Sequence, residues 1–197
     1  MKARLVTIAT VLLVGLIAGS AHAQSDIGFK GIGGRLGYVS PNDVDGTIGL
    51  GAIADLGQIT PKFGFEATID FWSSSTGPAS FEIKARDIVF GARGKYPFEV
   101  KDNPKLKPYA AAGLAFHFVK IEVPAVTIGT IGTFGGVDDS STKLGIDLAG
   151  GVGYEAGEKF DIVGEIMYRA VSDVGQWLIS GGVVFWLGGG ETPAATP

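Results

Sequence analysis

Three groups of residues have the types and spacing that chemistry requires. The segment Thr47 to Gly57 reads TIGLGAIADLG, and Gly49 to Ala54 within it fits the G-x-G-x-x-A turn of a dinucleotide site; Asp70 stands 19 residues beyond Gly51, near where a ribose-binding carboxylate belongs. His117, in Phe116-His117-Phe118-Val119, offers a general base. The largest group is a set of charged residues, Arg35, Asp55, Glu66, Asp70, Arg93, Lys143, Asp147, Glu165 and Arg169, that could pair structurally or gate a path.

Context removes the catalytic meaning of the first two. A dinucleotide turn must open a helix whose N-terminus faces the pyrophosphate, but Gly57 follows Gly51 by six residues and Pro61 comes soon after, so no helix of useful length fits. The pattern also recurs at Gly151-Val152-Gly153-Tyr154-Glu155-Ala156, inside an evident strand. No cofactor is expected. Around His117 there is no serine and acid at a spacing that would build a nucleophilic site, which predicts a buried or hydrogen-bonded histidine and no enzyme. Cysteine is absent, and Asp138-Asp139 in a glycine- and serine-rich stretch reads as solvated, so no metal site is expected.

A period of two positions the charged set. Leu144, Ile146, Leu148, Val152 and Tyr154 alternate with Lys143, Gly145, Asp147, Gly151, Gly153 and Glu155, as side chains on the two faces of a strand do. After the turn Ala156 to Lys159, Phe160, Ile162, Ile166 and Tyr168 alternate with Asp161, Val163, Glu165 and Arg169. The same rule gives strands near Gly28 to Val39, Thr47 to Leu56, Phe63 to Trp72, Asp87 to Tyr96, Lys107 to Glu122 and Gln176 to Leu187. Eight strands are an even number, which closes an antiparallel up-and-down sheet. The run Phe81 to Arg86 is charged on the other parity and predicts a bulge near Arg86.

Residues 1–23 carry Lys2 and Arg4, an apolar run and the exit Ser20-Ala21-His22-Ala23, which is the form of a signal peptide cleaved between Ala23 and Gln24. Its removal takes two positive charges and moves the formal charge from −4 to −6, which disfavours a nucleic-acid partner. No later segment approaches ~18 consecutive apolar residues, so no membrane-spanning helix is expected. The expected organisation is a signal peptide (1–23), one β domain (24–187) and a flexible Gly/Pro/Ala-rich tail (188–197).

Alternation suits both a periplasmic lipocalin-like binder, with its apolar face inward, and an outer-membrane barrel, with that face toward lipid. Three features favour the membrane. The apolar faces run for about ten residues, enough for a tilted strand to cross. Aromatics such as Phe63, Phe71, Tyr154, Phe160, Tyr168, Trp177 and Phe185 stand near the ends of those faces. Gly49, Gly51, Gly91, Gly113, Gly145, Gly151, Gly153 and Gly182 share the charged face, as a crowded interior requires. The charged set then points into a lumen just wide enough for side chains and should pair, with Arg93–Glu66 and Arg169–Asp147 foremost. Of the expected outer loops the longest is Val123 to Ser141.

The stretch Ile179-Ser180-Gly181-Gly182-Val183-Val184-Phe185-Trp186-Leu187 resembles the closing strand of the OmpA-like and OmpW-like small outer-membrane barrels. Gly31-Ile32-Gly33-Gly34-Arg35-Leu36-Gly37-Tyr38 is similar to their first strand, and Lys107-Pro108-Tyr109-Ala110-Ala111-Ala112-Gly113 to their fifth. The resemblance implies an all-β, eight-stranded antiparallel up-and-down transmembrane β-barrel in the outer membrane, with lipid and the barrel-assembly machinery as partners. It implies a structural or surface-interaction role through loop 123–141 or, in the OmpW-like manner, passage of small or hydrophobic solutes. Such barrels usually end on a phenylalanine that the assembly machinery recognises; here Leu187 holds that position. The tail GGGETPAATP resembles the start of a linker to a peptidoglycan-binding domain.

Overall fold

The alternating segments form eight antiparallel strands in the computed structural model, which describes residues 26–42, 44–78, 82–128, 132–172 and 174–187. The expected signal peptide, its expected cleavage site at Ala23 and Gln24, and the expected tail 188–197 lie outside the described residues. The strands are β1 (Asp26–Pro41), β2 (Thr47–Thr60), β3 (Phe63–Thr76), β4 (Ile83–Pro97), β5 (Leu106–Ile128), β6 (Gly132–Gly157), β7 (Phe160–Val171) and β8 (Val174–Trp186). Each pairs with the next, and β1 pairs with β8 from Gly31↔Trp186 to Pro41↔Gln176, closing the barrel. The seam extends past β8, where the Leu187 N–H donates to the Lys30 carbonyl (2.8 Å).

The two faces separate by environment. Ile32, Leu36, Leu50, Ile69, Leu114, Ile146, Ile166 and Ile179 point outward and are exposed all round the ring, an arrangement suited to hydrocarbon and not to water. Arg35, Glu66, Asp70, Arg93, Asp147, Glu165 and Arg169 point inward and are buried. That assignment overturns the lipocalin-like alternative, which needs the apolar face inside. Outward aromatics pair near both ends: Phe63–Tyr96 (5.3 Å) and Phe160–Phe185 (6.0 Å) at the end bearing Asp26 and Trp186, Phe90–Phe118 (5.7 Å) and Tyr168–Trp177 (4.9 Å) at the other.

Three local expectations are corrected. No bulge interrupts β4 near Arg86, because its pairing runs without a shift from Ile83 to Lys95 with β3 and from Lys84 to Pro97 with β5. The segment Val123 to Ser141 is largely a two-stranded ribbon, with β5 and β6 paired as far as Ile128↔Gly132. β2 continues past Leu56 to Thr60 through an irregularity at Gly57, whose φ of +84° favours glycine and where a Cβ would lie 2.1 Å from the Asp26 carbonyl oxygen. The inner turn between β4 and β5 is long because it folds on itself, with Leu106 N–H donating to Asn103 O (3.0 Å), and docks on β6 through Glu155 N–H to Lys105 O (2.9 Å).

Gly51 and Ala52 test the face assignment. A Cβ at Gly51 would meet Asp70 Oδ1 at 2.1 Å and the Arg35 Nε at 2.9 Å, whereas the side chain of Ala52 is exposed on the lipid side. Gly51→Leu is expected to cost at least about 2 kcal/mol by overpacking, and Ala52→Leu less than about 0.5 kcal/mol. Urea unfolding in lipid vesicles reads both; equal losses would contradict the assignment.

Candidate functional site

The lumen holds one chain of opposite charges in strict alternation. It runs Lys95, Glu66, Arg93, Glu165, Arg35, Asp70, Arg169, Asp147, and each link is an ion pair. Period-two geometry places these side chains on the inner face of β1, β3, β4, β6 and β7, and adjacent strands put Glu66 opposite Arg93 and Asp147 opposite Arg169. Lys95 reaches Glu66 diagonally on the same strand pair, and the other links join strands that are not neighbours: Arg35 Nη1 donates to Glu165 Oε1 (2.7 Å), and Arg35 grips Asp70 with Nε and Nη2 (2.8 and 2.7 Å). Guanidinium forks can do this because they present paired donors in one plane.

Glu165 is the junction. It accepts Arg35 Nη1, both terminal nitrogens of Arg93 (2.9 and 2.7 Å) and the Tyr109 hydroxyl (2.8 Å). Tyr109 is itself capped by Lys95, whose Nζ lies 4.1 Å from the ring centroid. Three arginines thus face four carboxylates, and Lys95 balances the fourth. The backbone makes room through glycine: a Cβ at Gly113 would lie 2.5 Å from Arg93 Cβ, and one at Gly151 would lie 2.5 Å from the Tyr109 hydroxyl.

Apolar side chains bracket this belt. On the outer side Val39, Trp72, Ala85, Met167 and Leu178 pack together; on the inner side Ile53, Tyr109, Ala111, Val163 and Val184 do, with Trp186 against them. Beside Arg35, Asp70, Arg169 and Ser180 a space of about 10 Å³ remains, no more than one water requires.

Two residues of the expected set stand elsewhere. Asp55 accepts the Gly57 N–H (2.9 Å) and so secures the β2 irregularity at the inner end. Lys143 lies at the outer rim, donating to the Ser172 carbonyl (3.3 Å). His117 is buried with Nδ1 2.7 Å from Asp87 Oδ2, and Gln176 Nε2 approaches the same oxygen (3.5 Å). Among the described residues no hydroxyl bonds its Nε2. Among the described residues no group of three or more His, Asp or Glu is placed to hold a metal. Tyr109 and Asp87 were missing from the sequence-derived set; their inward parity was readable, but their partners follow only from register.

Outside the membrane the ribbon base carries a separate ionic cluster. Glu122 Oε1 accepts Arg86 Nη2 (2.6 Å) and Lys120 Nζ (2.9 Å), and Lys120 also reaches Asp138 (3.2 Å). The hydrogen bond from Lys120, then the charge of Arg86, lowers the Glu122 carboxyl below its usual range; the bonds to Glu122 and Asp138 raise the Lys120 ammonium.

A closed ring of eight lipid-facing strands around a paired ionic interior defines a small transmembrane β-barrel. A family model described as outer membrane protein beta-barrel domain matches residues 9–185, and the chain belongs to that family, whose members reside in the outer membrane. The chain is similar in structure to Neisserial surface protein A, at 19% identity and a TM-score of 0.54, over 80% of this chain and 95% of that one. It is also similar to the N-terminal barrel domain of Pseudomonas aeruginosa OprF (14%, 0.51, 81% and 99%) and to P. aeruginosa OprG (13%, 0.54, 84% and 99%). At these identities the likeness is one of fold. No curated protein sequence matches the chain.

Removing the junction should be costly. Glu165→Ala strands two arginines and a buried hydroxyl and is expected to lose about 3–5 kcal/mol, while Tyr109→Phe loses about 1 kcal/mol. Urea midpoints in vesicles measure both; a Glu165→Ala barrel as stable as the parent would show that the pairs contribute nothing.

Proposed function

We propose that this protein is a structural and surface-interaction barrel of the outer membrane, with a lumen closed by its ionic chain and the ribbon 123–141 as its contact element. The observation that carries the reading is the lumen-crossing contact of Arg35 and Arg93 with Glu165, held between two apolar layers. A hydrated ion would have to part those pairs and cross both layers, and separating buried partners leaves charges uncompensated. The ribbon, by contrast, projects backbone-paired strands beyond the charged rim. The reading takes the His117–Asp87 pair as structural, since it is buried and no hydroxyl among the described residues bonds the histidine.

The same reading takes residues 1–23 as the export signal, cleaved after Ala23, and 188–197 as a tail separate from the barrel. Insertion falls to the barrel-assembly machinery, acting on a closing strand followed by Leu187 where a phenylalanine is usual.

Planar-bilayer recording of the full chain is expected to give no discrete conductance, and an epitope inserted between Thr127 and Thr133 should be accessible on intact cells. Conductance steps would replace this reading with OmpW-like passage of solutes, and an epitope reached only after the outer membrane is opened would remove the ribbon from its role.

A further inference from the structure

The lipid-facing side of the barrel carries an ordered charge pattern at one place on its outer rim. Three successive rows cross β3, β4, β5 and β6. Phe71, Ile88, Phe118 and Thr142 form the last apolar row; Ser73, Arg86, Lys120 and Ser140 form the next; Ser75, Lys84, Glu122 and Asp138 form the one beyond. Arg86 and Lys120 are therefore directly opposite each other across two strands, a like-charge pairing that weakens a sheet unless an anion sits between them. In the row nearest the lipid there are two cations and no carboxylate. The acid they share, Glu122, comes from the row above and offers both of them the same oxygen.

This is a local feature. Among the described residues, other lipid-facing positions at the outer ends of the strands, such as Tyr38, Ser40, Ile48, Trp177 and Ala170, are uncharged. Just above the cation row lies an open concavity of about 360 Å³, lined by Glu82, Lys84, Glu122, Pro124, Gly136 and Asp138 among others. Its size suits a sugar unit or two rather than a single ion.

We infer that Arg86 and Lys120 bind a phosphate of an outer-leaflet glycolipid, with the adjoining concavity receiving the sugar that carries it. The occupant is fixed by continuity with the lipid interface: a molecule whose acyl chains lie along Ile88, Phe90, Phe116 and Phe118 brings its first polar groups to the height of the cation row. In the outer membrane those groups belong to phosphorylated glycolipid. Glu82, Glu122 and Asp138 then accept hydrogen bonds from sugar hydroxyls, and Lys84 stands where a second anionic group would be met. The partly exposed Glu122 and the exposed Asp138 can be exchanged for phosphate at little cost, since surface ion pairs are weak and a juxtamembrane cation near an anionic headgroup gains about 1 kcal/mol. The concavity is lined in part by the ribbon base, at Pro124, Gly136 and Asp138, whereas the cations Arg86 and Lys120 that carry the inference lie outside residues 123–141.

The test uses the full chain in detergent, titrated with bis-phosphorylated lipid A, with dephosphorylated lipid A and with inorganic phosphate, and read by native mass spectrometry. Heat-modifiable migration confirms that each variant is folded. The double variant Arg86→Gln with Lys120→Gln is expected to weaken binding of bis-phosphorylated lipid A about tenfold or more, and removing the phosphates should do the same to the parent. Lys62→Gln, at the inner turn, should leave binding unchanged. Unaltered binding by the folded double variant overturns the inference, as does equal binding of dephosphorylated lipid A. Displacement of lipid A by inorganic phosphate at comparable concentration also overturns it, by marking a site for free anions.

Discussion

Every charged side chain in the belt must find its partner inside a tube only as wide as the side chains themselves, and this constraint shapes the rest of the barrel. An arginine taken out of water costs several kcal/mol unless its donors are matched, so Arg35, Arg93 and Arg169 each bridge two carboxylates. Three long guanidinium side chains would not fit if the facing positions were also large. Gly51, Gly113 and Gly151 are the complement: each lies where a Cβ would collide with a member of the chain or with Tyr109. The glycine content and the ionic interior are one design feature seen from two sides.

The chain also fixes register. A slip by one residue would turn Arg35, Arg93 or Arg169 toward hydrocarbon, at about 2–4 kcal/mol each near the midplane, and bring leucine or isoleucine inside. A slip by two would keep the faces but part the pairs. Because the links join β1, β3, β4 and β7 across the lumen and tie β6 to β7, no strand among them can shift alone. The apolar layers above and below keep water from substituting for a lost partner, which makes the pairs both stronger and less forgiving.

The strands and their faces were legible in the sequence because lipid and lumen make opposite demands on alternate residues, as at Leu144 to Tyr154. What misled the reading was a change of solvent along one strand. At Arg86 the outward positions become charged while the inward Ala85 is buried, since β4 has left hydrocarbon for water; the pattern inverted while the backbone continued straight. The ribbon was hidden for the same reason, as outside the membrane neither face need be apolar. Partners across the lumen, such as Arg35 with Glu165 at 130 residues' separation, depend on closure and register that parity alone does not supply. Asp55 had the right parity but sits beside Gly57, whose N–H competes for it.

The Arg93–Glu165 pair and the Arg86–Glu122 pair differ by only 0.1 Å, at 2.7 and 2.6 Å, yet they answer to different physics. In the lumen, parting the ions exposes each to a medium that cannot solvate it, so the pair behaves as a structural bond. At the rim, water or another anion takes over at once, and the net worth of the contact falls to about 0–1 kcal/mol. A gate built on the first kind of pair would need a large driving force to open. Recognition built on the second kind would need only an anion that competes with a carboxylate at the same height, whereas the lumen pairs tie the strands to one another.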